Sequence, residues 1–292
     1  MKKLLSLLAL CALAFVGCAS VRQDAQTAPF DYRAEDVLID AGDHQIPATV
    51  TIPVGSKGQK FPAVVMLHGN GSSRHEAGNA YDYATVEMAK AGIATIRFDY
   101  LGNGDSKGDY IDYTYDQGIE DAMTCYDYIV RQAGVDKKRV GIMGWSQGGR
   151  LTLLAVARSK VFKSALTWAG AYGNKDLDAE YEIAKKNGYY EVTYDWRAPL
   201  KQSPAYYEVA KGIDYPAEAA KVRIPYLLIQ GTKDTSVVPE TATTIQKALV
   251  HSPDAEISWV EGAGHTFGVF SGDDTQLKDI TARTIAWFEK TL

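Results

Sequence analysis

The sequence predicts an α/β fold: a mostly parallel central sheet with helices on both faces and a cap inserted into it. Three observations lead there. First, short unbroken apolar runs recur at Ala63 to Leu67, Ile93 to Phe98, Val140 to Met143, Ser164 to Trp168, Tyr226 to Ile229 and Ile257 to Val260, the pattern of strands buried on both faces. Second, they alternate with helix-length periodic stretches at Asn79 to Ala91, Tyr115 to Ala133, Gly148 to Ala157, Pro239 to Val250 and Thr275 to Leu292. Third, the rhythm lapses over 171–222, where no clear strand is visible and eight tyrosines accompany Trp196. That interval reads as the cap.

The N-terminal end comes first in order. Lys2 and Lys3 precede the apolar run Leu4 to Val16, which is too short to span a bilayer and reads as an export signal over 1–17. The run closes on Phe15-Val16-Gly17-Cys18, which resembles a bacterial lipobox with Phe where Leu is usual. That resemblance implies a diacylglycerol anchor on Cys18. Ala19 and Ser20 are not the aspartate associated with inner-membrane retention, so an outer-membrane lipoprotein is expected, with a periplasmic or secreted protein as the alternative. Residues 18–32 are polar and aperiodic and read as a tether.

The folded body is expected over 33–292. Glu35 to Asp40 and Gln45 to Pro53 alternate in polarity around Ala41-Gly42-Asp43-His44, a hairpin signal for an antiparallel start. With 292 residues, 46% of them hydrophobic, the chain has material for one large core. A net charge of −5 without a basic stripe excludes a nucleic-acid partner. With Cys11 in the leader and Cys18 lipidated, Cys125 is left alone in the body and is expected as a small buried hydrophobe.

The chemistry is concentrated in four segments. Gly144-Trp145-Ser146-Gln147-Gly148 sits between an apolar strand and a helix, so the pentapeptide has the strand–turn–helix context that projects a serine hydroxyl from a sheet. Ser146 is the candidate nucleophile. Of five histidines, His265 lies in the glycine-rich Gly262-Ala263-Gly264-His265 loop after the last strand and is the candidate general base. Asp234 follows the Tyr226 to Gln230 strand, between the other two in chain order, and is the candidate acid that orients the base. The fourth segment, His68-Gly69-Asn70-Gly71, follows the Ala63 to Leu67 strand. The backbone N–H groups of Asn70 and Gln147 are the expected oxyanion donors, and His68 is expected to brace the loop. No H-E-x-x-H or P-loop pattern occurs, so neither a metal nor an organic cofactor is expected.

With Phe98-Asp99-Tyr100-Leu101-Gly102-Asn103-Gly104-Asp105-Ser106, these segments resemble the α/β-hydrolase superfamily over 33–292. The similarity is to the bacterial cinnamoyl and feruloyl esterase group and to serine aminopeptidase-like hydrolases. Asn103 departs from the histidine usual in that block. The resemblance implies a serine hydrolase acting on small carboxylic esters with an aromatic or short acyl part. Short peptides or thioesters are the alternatives, and a binding lipoprotein that has lost the chemistry stands as a different class. A peptidase needs a group for the substrate α-amine, and Asp178, Glu180 and Glu182 of the cap are candidates. The cap tyrosines either stack on a flat substrate ring or pack the cap against the sheet.

Overall fold

The computed structural model describes residues 28–173 and 177–292. The leader, Cys18 and the tether as far as residue 27 lie outside the described residues. The chain opens with β1 (Asp31–Asp40) and β2 (Gln45–Val54), paired antiparallel from Asp31 with Val54 to Asp40 with Gln45. The body therefore starts earlier than the Arg33 read from the sequence. The ring of Phe30 meets Phe61 edge-on at 5.0 Å, and its N–H bonds the Lys90 carbonyl at 2.9 Å. The first six residues of β1 are all exposed, so they carried no hydrophobic alternation to mark the strand.

β3 (Phe61–Leu67), β4 (Ala94–Phe98), β5 (Val135–Trp145), β6 (Ser164–Trp168), β9 (Tyr226–Gly231) and β10 (Ala255–Val260) complete an eight-stranded sheet in the order β1-β2-β4-β3-β5-β6-β9-β10. β2 runs antiparallel to β4, and every pair from β4 to β10 is parallel. Strand β5 begins five residues before the apolar run at Val140, because Asp136 to Arg139 are polar and only partly covered there.

Period-two alternation sends the strand side chains to two separate cores. On one face Val64 and Met66 of β3 pack with α1 (Ala80–Lys90) and α8 (Thr275–Thr291) through Tyr81, Met88, Trp287 and Phe288. On the other, Ala63, Val65 and Leu67 meet α2 (Tyr115–Ile129), α3 (Gln147–Arg158) and α7 (Pro239–Ala248). Thr114 caps α2 by accepting the Gln117 N–H at 3.2 Å, and Pro239 starts α7, where a missing N–H costs nothing. Helix α2 stops at Ile129, short of the expected Ala133, and Gly134 takes φ +91° in the turn to β5.

Between β6 and β9 the chain leaves the sheet through α4 (Leu177–Asn187), β7 (Tyr190–Val192), β8 (Leu200–Gln202), α5 (Pro204–Lys211) and α6 (Tyr215–Ala219). β7 and β8 form a two-stranded antiparallel ribbon of their own, contrary to the strandless reading of this interval. At three residues each they are too short to show a period. Among the described residues no helix is long and apolar enough to cross a membrane.

Candidate active site

Ser146 occupies the turn between β5 and α3 with φ 53° and ψ −114°, a positive-φ conformation costly for a residue with a Cβ. The turn is held by Ser146 N–H on the Trp168 carbonyl at 3.0 Å and by Gly149 and Ala171 N–H groups on the Ser146 carbonyl at 3.0 and 2.9 Å. The flanking glycines are there for space. A Cβ on Gly148 would stand 2.1 Å from the Leu67 carbonyl oxygen, and one on Gly144 would stand 2.2 Å from the Gly148 carbonyl.

The structure brings Ser146, His265 and Asp234 into one hydrogen-bonded line. His265 Nε2 lies 3.1 Å from Ser146 Oγ, and His265 Nδ1 lies 2.8 Å from Asp234 Oδ2. A neutral imidazole that donates Nδ1–H to the carboxylate leaves Nε2 free to accept the serine proton. Asp234 is 2% exposed. Its Oδ1 accepts the Ser236 and Val237 N–H groups at 2.9 and 2.8 Å, and Gln230 Nε2 reaches Oδ2 at 3.2 Å. Burial pushes this carboxyl up, but the His265 bond and charge, with the two backbone donors, outweigh it and hold it below its ordinary value. Trp145 Nε1 donates to the His265 carbonyl at 3.2 Å, tying the histidine loop to the serine turn.

Asn70 and Gln147 border a cavity of about 520 Å³ together with Ser146 and His265. Gln147 begins α3, and its side chain lies between Tyr113 Oη at 3.2 Å and Tyr206 Oη at 3.4 Å. His68 is fully buried: its Nδ1–H donates to the Gly69 carbonyl at 2.7 Å and its Nε2 accepts the Tyr100 N–H at 3.2 Å. Desolvation lowers it to about 4, so it is a neutral brace for the loop. Asn103 is buried and donates to the Leu101 carbonyl at 3.3 Å.

Two features escaped the sequence. Glu76 is buried in the same loop at φ 60°, its Oε1 accepting the Gly69 N–H and its Oε2 accepting the Ser72 hydroxyl at 2.7 Å and the Ala77 N–H at 2.8 Å. Desolvation pushes the carboxyl up despite these donors. Arg74 pairs with Asp99 and reaches Asp105 Oδ2 at 2.7 Å, fastening the Ser72 to Glu76 stretch to the loop after β4. A Cβ on Gly104 would meet the Asp99 carboxylate at 2.3 Å, which explains the glycine. No motif marks Glu76 or Arg74, because their partners are chosen by loop packing.

A second cavity of about 1010 Å³ also opens onto Ser146 and His265, lined by Trp145, Tyr194, Trp196 and Phe270 among others. Trp196 and Phe270 are 63% and 72% exposed. The smaller cavity is lined by Arg150 and Glu180, the larger by Arg197 and Glu76, and the larger alone has the tryptophan and phenylalanine walls. Among the described residues no group of three or more His, Cys, Asp or Glu side chains is placed to hold a metal ion.

Residues 79–292 match the model of the prolyl oligopeptidase family, Peptidase_S9. The chain belongs to that family. Against the prolyl endopeptidase FAP of Mus musculus this family member is 26% identical over 231 residues, 75% of this chain and 28% of the mouse protein. It thus spans little more than a quarter of that relative. The ferulic-acid-bound Est1E of Butyrivibrio proteoclasticus superposes with a TM-score of 0.70 at 21% identity, covering 87% of this chain and 98% of Est1E. The acylaminoacyl peptidase of Pyrococcus horikoshii gives 0.70 at 20% identity, covering 91% of this chain and 42% of the peptidase. At these identities the two structures establish the α/β-hydrolase fold. Family and fold together make the chain a serine hydrolase of esterase or peptidase type.

Proposed function

We propose that this prolyl oligopeptidase family member hydrolyses carboxylic esters with an aromatic or short acyl part through an acyl-enzyme on Ser146. The observation that carries the reading is the line from Ser146 Oγ through His265 to Asp234, at the junction of two cavities. His265 Nε2 takes the serine proton as Oγ attacks the acyl carbon, while Asp234 keeps the imidazole in its Nδ1–H tautomer and stabilises the imidazolium. The backbone N–H groups of Asn70 and Gln147 receive the oxyanion. His265 then gives its proton to the departing alcohol, and in the second half takes one from the water that releases the acid. The flat aromatic walls of the larger cavity suit an aryl group.

A fluorophosphonate probe is expected to label the wild type and to leave Ser146→Ala unlabelled. Hydrolysis of feruloyl, acetyl and long-chain acyl esters by the unlabelled wild type tests the acyl class, and a preference for long fatty chains would overturn it. Peptide hydrolysis is the second reading, favoured by the family and by the Glu180 carboxylate bordering the smaller cavity, where a substrate α-amine would find a counter-charge. Turnover of aminoacyl anilides above that of esters would select it. We also propose that Cys18 carries the lipid of an outer-membrane lipoprotein, supported by its sequence context. Fatty-acid labelling lost in Cys18→Ser tests that anchor.

A further inference from the structure

The side chain of Asn70 has both of its polar atoms engaged by tyrosine hydroxyls. Its Nδ2 donates to Tyr194 Oη at 2.8 Å, and its Oδ1 accepts from Tyr110 Oη at 2.8 Å. Tyr110 stands in a short 3-10 turn after β4, whereas Tyr194 comes from the excursion between β6 and β9, 124 residues from Asn70 in sequence. One residue on, the Gly71 carbonyl accepts from the Arg197 guanidinium, which also donates to Asn103 Oδ1 at 3.2 Å. Gly71 has φ +70°, and a Cβ there would lie 3.3 Å from Arg197 Cδ and 3.2 Å from Leu200 Cδ1. The glycine gives the guanidinium its space.

We propose that Tyr194 and Arg197 are positioning residues that aim the Asn70 N–H at the developing oxyanion, so that docking of the excursion and transition-state stabilisation are one event. The inference rests on Ser146 being the nucleophile. An oxyanion donor acts only if it is fixed before the charge appears, and glycines on both sides of Asn70 leave the backbone free to turn. From below, the body supplies Glu76 on the Gly69 N–H, His68 and the Ser72 N–H on the Gly69 carbonyl, and Tyr110 on the Asn70 side-chain oxygen. From above, the excursion supplies Tyr194 on the Asn70 amide and Arg197 on the Gly71 carbonyl. The peptide unit that carries the Asn70 N–H is thereby held through the Gly69 carbonyl, and the Asn70 side chain and the Gly71 carbonyl are held from the excursion.

The same excursion walls the larger cavity with Tyr194, Trp196 and Arg197, and the Tyr194 and Trp196 rings are 5.1 Å apart. A substrate group seated against Trp196 bears on the segment that aims the donor. Binding in that cavity is thus transmitted to the chemical step.

Tyr194→Phe deletes one hydroxyl and keeps the ring. It is expected to lower kcat about tenfold, less than the loss of a whole oxyanion donor, with KM within about twofold and an unchanged melting temperature. Arg197→Gln is expected to act in the same direction. Asn70→Ala keeps the backbone N–H but removes the handle, and adding Tyr194→Phe to it is expected to cost nothing more. Wild-type kcat in both Tyr194→Phe and Arg197→Gln, or additive losses in the double variant, would overturn the proposal while leaving the hydrolase reading intact. A wild type that turns over neither esters nor peptides would overturn both.

Discussion

The indole N–H of Trp145 rests on the backbone carbonyl of His265 at 3.2 Å, so the residue preceding the serine fixes the loop that carries the histidine. The imidazole is held at its ring by Asp234 and at its backbone by Trp145, the last residue of β5. Trp145→Phe keeps most of the packing on Trp168 and Phe267 but deletes that bond. With a net hydrogen bond near 1 kcal/mol, kcat/KM for an aryl ester is expected to fall about fivefold. Undiminished turnover in a folded Trp145→Phe protein would show that the loop holds its place without the indole.

Asp234→Asn places an amide where the carboxylate now accepts the Ser236, Val237 and His265 donors. The imidazole loses the partner that selects its Nδ1–H tautomer. Steady-state kinetics are expected to show kcat down by about 10³ to 10⁴ with KM little changed. A loss under tenfold would move the role to another acid.

Trp196→Ala opens one wall of the larger cavity without touching Ser146 or His265. Specificity constants are expected to fall about tenfold for esters that place a ring there, a contact of about 1.4 kcal/mol. Methyl acetate should be unaffected. Equal losses on both substrates would assign Trp196 to support of the fold.

His44 and Asp121 give stability a pH dependence far from the site. His44 Nε2 lies 3.3 Å from Asp121 Oδ1, and Asp121 is fully buried. The Asp121 carboxylate beside it raises His44 from 6.5 to about 9 against the opposing effect of burial, and Asp43 helps from the other side. The protonated form is favoured in the fold, so the stabilisation is complete below the ordinary 6.5 and is lost as pH rises through about 9. Thermal melts of the wild type are expected to drop across that window, with a flatter profile in His44→Gln. Parallel profiles would rule the pair out as the cause.

The parts of the fold legible in the sequence are those with local cause. The apolar runs from Ala63 to Leu67 and from Ser164 to Trp168 fall within β3 and on β6, and Ser146, Asp234 and His265, read from three separate loops, converge within hydrogen-bond reach. What the sequence concealed depends on distant contacts or on exposure. β1 starts unmarked because its first residues face solvent. β7 and β8 are too short for a period. Glu76 carries no motif and is buried only by the closing of the fold, and the Tyr194 contact with Asn70 joins segments that share no local pattern.

Strand β1 lies at the rim of the sheet with ten residues of backbone, one side of which no other strand takes up among the described residues. Such a rim invites a second chain to add itself as the next strand. This one is written Asp31-Tyr32-Arg33-Ala34-Glu35-Asp36, then closes on Asp40, so an approaching copy brings mostly negative side chains against negative side chains. Molecules brought side by side along this border would set like charges against one another before their backbones could join.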